Sequence, residues 1–217
     1  MSTPIDQRTG HPWPSSGEWD HWLAAHDPHP VTQDETDLFL TLTGLQDGER
    51  VADFGCGTGA WTRALAGAGA WIHGFDFSRH AVRRARLDGQ ADHYTHWDID
   101  RDERVPPLLR DRVDVLTFRD SLQWLRPDTV ARAFQQWLRP SGRIHIRDNT
   151  PPGVTCWPTV DTPEGVRWPH PPGDPRFQRG LTVPEFSDVR WGPWTAHAES
   201  TDTATTLLVR RRDSRWN

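Results

Sequence analysis

The run Val51-Ala52-Asp53-Phe54-Gly55-Cys56-Gly57-Thr58-Gly59 limits what this chain can fold into more than any other stretch. A short apolar segment leads into three glycines at alternate positions, and a small-residue helical pattern, Ala60–Ala68, follows at once. Glycines at that spacing let the backbone turn sharply and let a ligand approach with no Cβ in between. An ordinary strand-to-helix turn seldom needs three of them. The run predicts a buried strand over Arg50–Phe54, a tight turn over Gly55–Gly59 and a helix beyond it.

Alternation of strand and helix continues downstream. Trp71–Phe75 reads as a second strand closed by Asp76, and Ser78 can cap a helix over Arg79–Leu87. Tyr94–Trp97 reads as a third strand ending at Asp98. Val113–Phe118, apolar but for Asp114 and Thr117, reads as a central fourth strand. A helix over Asp128–Leu138 and a fifth strand over Arg143–Arg147 complete the series. Such repetition argues for an α/β fold, a parallel sheet with helices on both faces. Asp188–His197 and Ala204–Arg212 read as two further strands around a polar turn, Glu199–Asp202, closing the sheet as a hairpin.

Two stretches stand outside this pattern. Residues 1–30 are rich in Pro, His and Trp and read as an irregular arm or lid with a short helix near Glu18–Ala25; a helix over Thr32–Leu42 follows. Residues 149–180 hold eight prolines and four glycines, too many for regular elements. The expected division is an arm over 1–30 and one domain over 31–217, in which 149–185 is a Pro-rich covering over the acceptor side.

At 217 residues the chain suits a single domain. All 25 basic residues are arginine, which excludes lysine Schiff-base chemistry. A net charge of −5 with dispersed arginines speaks against nucleic acid as a partner. Two cysteines cannot build a disulfide framework, and no apolar stretch approaches a membrane span. The expected setting is cytoplasmic, as a monomer or homodimer, with a small-molecule substrate, no membrane partner and no metal.

The chemistry-bearing residues fall at strand ends. Gly55, Gly57 and Ala60 also match a dinucleotide fingerprint. Asp53, two residues before the first glycine, can brace the turn or meet a cationic ligand group. An anionic pyrophosphate gains nothing from an acid there; a sulfonium amino acid with its ammonium group does. Asp76 can accept both hydroxyls of a ribose. Asp98 can accept from an adenine amino group with Ile99 beside the ring. Asp120 and Ser121, after the fourth strand, suit either ligand contact or a helix cap.

The segments Val51–Gly59, Phe75-Asp76-Phe77-Ser78, Trp97-Asp98, Asp114–Leu125 and Leu138-Arg139-Pro140-Ser141-Gly142 together resemble class I S-adenosylmethionine-dependent methyltransferases. The resemblance covers residues 50–148 well, the closing hairpin loosely, and 1–30 and 149–185 weakly. Gln123 stands where many members carry histidine. It implies a single Rossmann-like domain with a seven-stranded sheet in the order 3-2-1-4-5-7-6, strand seven antiparallel. Gly55 and Gly57 would lie under the methionine part, Asp76 with Phe77 at the ribose, and Asp98 and Ile99 at the adenine. Arg119 would meet the methionine portion through its backbone. The implied cofactor is S-adenosylmethionine, leaving as S-adenosylhomocysteine.

The implied reaction is methyl transfer to an oxygen, nitrogen or carbon nucleophile of a small molecule. A nicotinamide-dependent oxidoreductase and an S-adenosylmethionine-binding protein catalysing a cyclisation or rearrangement stay open as alternatives. His73 and His145 lie inside strands and read as structural. His170, in the Pro-rich covering, is the candidate base. Thirteen tryptophans stand against one tyrosine. Trp13, Trp22, Trp157 and Trp168 fall in the two coverings and, with Trp124 and Asn149, are candidates for an acceptor pocket suited to flat aromatics or amines.

Overall fold

A computed structural model describes residues 16–25, 29–122, 125, 127–148, 160–161, 167–168, 194–200 and 205–211. Helices α1 (Ser16–Ala25) and α2 (Gln33–Thr43) precede β1 (Arg50–Phe54), α3 (Ala60–Gly67), β2 (Trp71–Asp76), α4 (Arg79–Asp88) and β3 (Tyr94–His96). Next come α5 (Pro107–Arg110), β4 (Val113–Arg119), α6 (Pro127–Gln136) and β5 (Leu138–Asp148). Last are β6 (Val160–Asp161), β7 (Arg167–Trp168), β8 (Trp194–Ser200) and β9 (Thr205–Arg211).

Seven strands form one sheet in the order β3-β2-β1-β4-β5-β9-β8. Pairings from β3 through β5 are parallel, and β9 runs antiparallel to both its neighbours. This is the expected order. Strands so placed are covered on both faces, which is why Val113, Val115, Leu116 and Phe118 of β4 are all fully buried. Val51, Ile72 and Val115 face Phe39 of α2 and Trp61 and Leu65 of α3. Ala52, Phe54, Leu116, Phe118, Ile144 and Ile146 belong to the other layer with Leu109, Phe134 and Trp137. Phe54 is its hub, with ring centroids 5.5 Å from Phe75, 5.5 Å from Phe118 and 5.9 Å from Trp137.

Several polar groups sunk in the core are paired. Trp61 Nε1 donates to Thr117 Oγ1 at 3.1 Å, and Thr117 shares a hydrogen with His145 Nδ1 at 3.0 Å. An indole N–H can only donate. The threonine hydroxyl therefore accepts from Trp61 and is free to donate to His145. Burial holds His145 neutral, its pKa pushed down to about 3, and His73 likewise down to about 4 beside Thr95. Both histidines are structural, as expected from their strand positions.

The expected helix over Asp128–Leu138 ends at Gln136, and Leu138 opens β5; three further differences follow. The Leu138–Gly142 turn lies within β5: pairing passes from Val113↔Leu138 to Val115↔Arg143, so the extra residues are absorbed as a bulge. The first closing strand runs Trp194–Ser200, three residues past His197 into the expected turn, while 188–193 lie outside the described residues. Within the Pro-rich covering, Val160–Asp161 and Arg167–Trp168 pair antiparallel, a short ladder that composition did not predict. Prolines flank those strands and do not enter them, so no ladder N–H is lost.

Candidate active site

The glycine turn is bolted to β2 from both sides. Gly55 N and Cys56 N donate to Phe75 O at 2.9 and 3.1 Å, continuing the β1–β2 ladder past the strand end. Gly57 N then donates to Asp76 Oδ2 at 2.8 Å, and Asp76 Oδ1 accepts from Ser78 N at 2.8 Å. Asp76 thus ties the turn to the start of α4 and keeps one free lone pair on each oxygen. Burial pushes its carboxyl up to about 6, opposed by those two amides and by His96.

The two glycines do different things. At Gly55, φ is +72° and an added Cβ would lie 2.5 Å from Ser121 Cβ. Ser121 fills that side and its hydroxyl donates to Phe54 O at 2.5 Å. At Gly57, φ is +54° and an added Cβ meets no atom within 4 Å. Gly55 is demanded by the protein's own packing, and Gly57 faces open space.

Beneath the turn, Asp53 is 1% exposed and accepts from Thr62 Oγ1 at 2.6 Å. Burial raises its carboxyl to about 7, against the nearby Arg119 charge. At the third strand end, Asp98 Oδ1 accepts from Asp100 N at 3.0 Å, and Oδ2 lies 3.8 Å from Arg101 Nε. Ile99 is packed into the core layer, and its carbonyl accepts from Arg132 at 2.9 Å. Phe77 is half-buried, its carbonyl accepting from His96 Nε2 at 3.0 Å.

Beyond β4 and β5 lies a buried ion network that sequence reasoning did not find. Glu35 of α2 accepts from Arg119 Nε at 2.5 Å and sits 2.7 Å from Arg147 Nε. Arg147 Nη1 reaches Asp120 Oδ2 at 3.2 Å. Asp120 has φ +54°, a conformation that residues with a Cβ adopt only under strain. Its backbone N–H donates to Arg147 O at 2.8 Å, which holds it there. Asp120 and Ser121 stand apart from α6, which begins at Pro127, and Leu122 after them opens a 3-10 turn in which Leu125 N donates to its carbonyl at 3.1 Å. The one local signal was Thr32, whose Oγ1 accepts from Glu35 N at 3.2 Å as a helix N-cap.

Removing Glu35 leaves two guanidiniums, each about one-tenth exposed, to share the Asp120 carboxylate. Glu35→Ala is expected to lower unfolding free energy by about 3 kcal/mol, as broken buried ion pairs do, read as a lower urea midpoint. An unchanged midpoint would refute the anchoring role.

Gly55, Gly57, Asp53 and Asp76 thus lie together at the carboxyl ends of β1 and β2, and Arg119 lies at the end of neighbouring β4. Open α/β sheets bind ligands at such an edge. Trp22 lies in α1 and Trp168 in β7, their side chains outside the described residues. Trp13, Trp124, Asn149, Trp157 and His170 also lie outside them. Among the described residues, no group of three or more His, Cys, Asp or Glu could hold a metal ion, and no helix is long and apolar enough to cross a membrane.

Comparison with known proteins points to one family. A methyltransferase-domain family model matches residues 52–144. The malonyl-[acyl-carrier protein] O-methyltransferase of Pseudescherichia vulneris is 29% identical over 144 residues, 64% of this chain and 56% of that protein. A ubiquinone biosynthesis O-methyltransferase of Aromatoleum aromaticum is 31% identical over 124 residues, 55% of this chain and 50% of that protein. The chain thus spans about half the length of the curated relatives it matches. An S-adenosylmethionine-dependent methyltransferase from Mesorhizobium loti shares the fold, with a TM-score of 0.55 and 21% identity over 81% of this chain and 98% of that one. The glycine turn, the acid at each strand end, the strand order and these likenesses agree: residues 52–144 match the methyltransferase-domain family, and the sheet has the Rossmann-like methyltransferase fold.

Proposed function

We propose that this protein transfers a methyl group from S-adenosylmethionine to a small-molecule acceptor. One observation carries the reading: the open space above Gly57 is bounded by a turn whose amide is held by Asp76, an acid with lone pairs to spare. A Cβ at Gly57 would enter that space, and the acids below it suit a ligand carrying positive charge. The residues present fit the cofactor.

When bound, S-adenosylmethionine supplies a methyl carbon already activated by its sulfonium. The chain's part is to hold and orient. Asp76 accepts from the ribose hydroxyls through the lone pairs left by Gly57 and Ser78. Asp53 places negative charge under the amino-acid end, and Asp98 and Ile99 border the adenine. Holding the nucleophile in line at about 3–3.5 Å supplies much of the acceleration.

The relatives named above are O-methyltransferases, so an oxygen nucleophile is the first acceptor atom to test. Residues 1–30 and 149–185 cover the acceptor side in this reading. Trp13, Trp22, Trp124, Trp157, Trp168 and Asn149 line it, and His170 takes the proton from a hydroxyl nucleophile; composition supports this.

Thermal melts with S-adenosylmethionine, S-adenosylhomocysteine and NAD test the ligand class. The first two are expected to raise the midpoint and NAD to leave it unmoved, since only a ligand of the folded state stabilises it. A shift with NAD alone would replace the reading by the oxidoreductase. Methyl-labelled cofactor then separates transfer, which puts label in the acceptor, from a rearrangement, which does not.

A further inference from the structure

Two carboxylates are sunk at the carboxyl ends of adjacent parallel strands, Asp53 on β1 and Asp76 on β2, each more than nine-tenths buried. The hydrogen-bond partners of both are neutral: the Thr62 hydroxyl for Asp53, the Gly57 and Ser78 amides for Asp76. Among the described residues, neither is in an ion pair within 4.0 Å. Charges face them from every packed element. Arg119 of β4 favours ionisation of Asp53, and His96 of β3 favours that of Asp76. The acids oppose one another, and Asp20 of α1 adds to the opposition: its carboxylate accepts from Ser78 Oγ beside Asp76. Cys56, buried between them, is held as a neutral thiol.

Burial outweighs the rest, raising Asp53 to about 7 and Asp76 to about 6. Near neutral pH burial therefore favours a proton shared within the pair. A ligand bearing a sulfonium and an ammonium brings fixed positive charge into this low-dielectric floor, where it acts more strongly than in water. Ribose hydroxyls add a second demand, because only an ionised carboxylate can accept from both while keeping its two amides.

We infer that the Asp53–Asp76 pair takes up S-adenosylmethionine with release of a proton, and that this coupling makes the site favour the cationic donor over its demethylated product. The inference rests on the function proposed above. Its sign follows from linkage: groups whose pKa falls on binding release protons, so affinity rises with pH up to the free-state values near 6–7 and levels off above them. S-adenosylhomocysteine keeps the ammonium but lacks the sulfonium. It releases less, and loss of the methyl group draws the proton back and loosens the product.

Calorimetric titration of the wild-type chain near pH 6.5 in phosphate and in imidazole, whose ionisation heats differ, counts the protons. Release of roughly half to one proton is expected with S-adenosylmethionine and a smaller amount with S-adenosylhomocysteine. Affinity for the donor should weaken by about tenfold per pH unit below pH 6, and more steeply than affinity for the product. Asp53→Asn and Asp76→Asn should each lower the count. Binding with equal heats in both buffers would overturn the inference and leave the functional reading intact. An undiminished count in both Asn variants would do the same by placing the proton elsewhere. Absence of heat from either ligand would overturn the reading itself, and the inference with it.

Discussion

Gly55→Ala is expected to melt roughly 6–12 °C below the wild type and to lose cofactor-dependent stabilisation. Two effects add. The backbone sits at φ +72°, where an L-residue is disfavoured by about 1–2 kcal/mol. The new methyl would also lie 2.5 Å from Ser121 Cβ and 3.1 Å from Ser121 Oγ. Overpacking of that kind costs about 1–3 kcal/mol. Ser121 cannot retreat freely, because its hydroxyl is bound to Phe54 O. A loss of roughly 3 kcal/mol lowers the midpoint by about 2–4 °C per kcal/mol in a chain of this size. Gly57→Ala is the informative partner: no atom lies within 4 Å of its new methyl, so stability falls by only about 1 kcal/mol, from the left-handed backbone, while affinity falls sharply. A Gly55→Ala protein melting within about 2 °C of wild type would show that Ser121 does not pack against the turn.

Asp76→Ala should weaken S-adenosylmethionine binding by more than about a hundredfold. The side chain holds two amides now and would hold two ribose hydroxyls in the complex. Hydrogen bonds to a charged group contribute about 1.5–3 kcal/mol each, so losing both ligand bonds exceeds the roughly 2.7 kcal/mol of a hundredfold change. The variant also leaves the Gly57 and Ser78 N–H groups without their acceptor, at about 1–3 kcal/mol each where water cannot enter. Asp76→Asn keeps one acceptor oxygen and should retain more stability than affinity.

Its pH dependence has a definite sign. A carboxyl raised to about 6 in the folded chain stabilises it below the ordinary value of 3.8, and that contribution is lost as pH rises through about 6. The stability gap between wild type and Asp76→Asn should therefore narrow between about pH 4 and pH 6, measured by urea unfolding at each pH. A binding constant for Asp76→Ala within threefold of wild type would remove Asp76 from the site.

Elements governed by short-range rules were legible. The β1 strand, the glycine turn, the Ser78 cap and the apolar β4 each follow from a few neighbouring residues, because strand burial and turn conformation are local demands. The end of the sheet was harder to read. The Pro-x-Gly segment before Arg143 reads as a turn, yet ladder pairing on either side draws it into β5 as a bulge. Asp120 and Ser121 suit either a cap or a ligand contact in sequence; only the fold sets Ser121 against Gly55 and Asp120 beside Arg147.

By itself the sequence determined the alternation of strands and helices and the tight glycine turn after β1. Those are consequences of periodicity and of what glycine alone permits. Tertiary structure decided what each residue faces. It assigned Gly55 to Ser121 and Gly57 to open space. It also brought Glu35 to Arg119 across 84 positions and Asp20 to Ser78 across 58. No pattern along the chain encodes such pairings, because they arise where separately formed elements pack. The coupling of Asp53 to Asp76 has the same origin: two strand ends become neighbours only in the folded sheet, and burial there turns ordinary carboxyls into a pair that a cation can discharge.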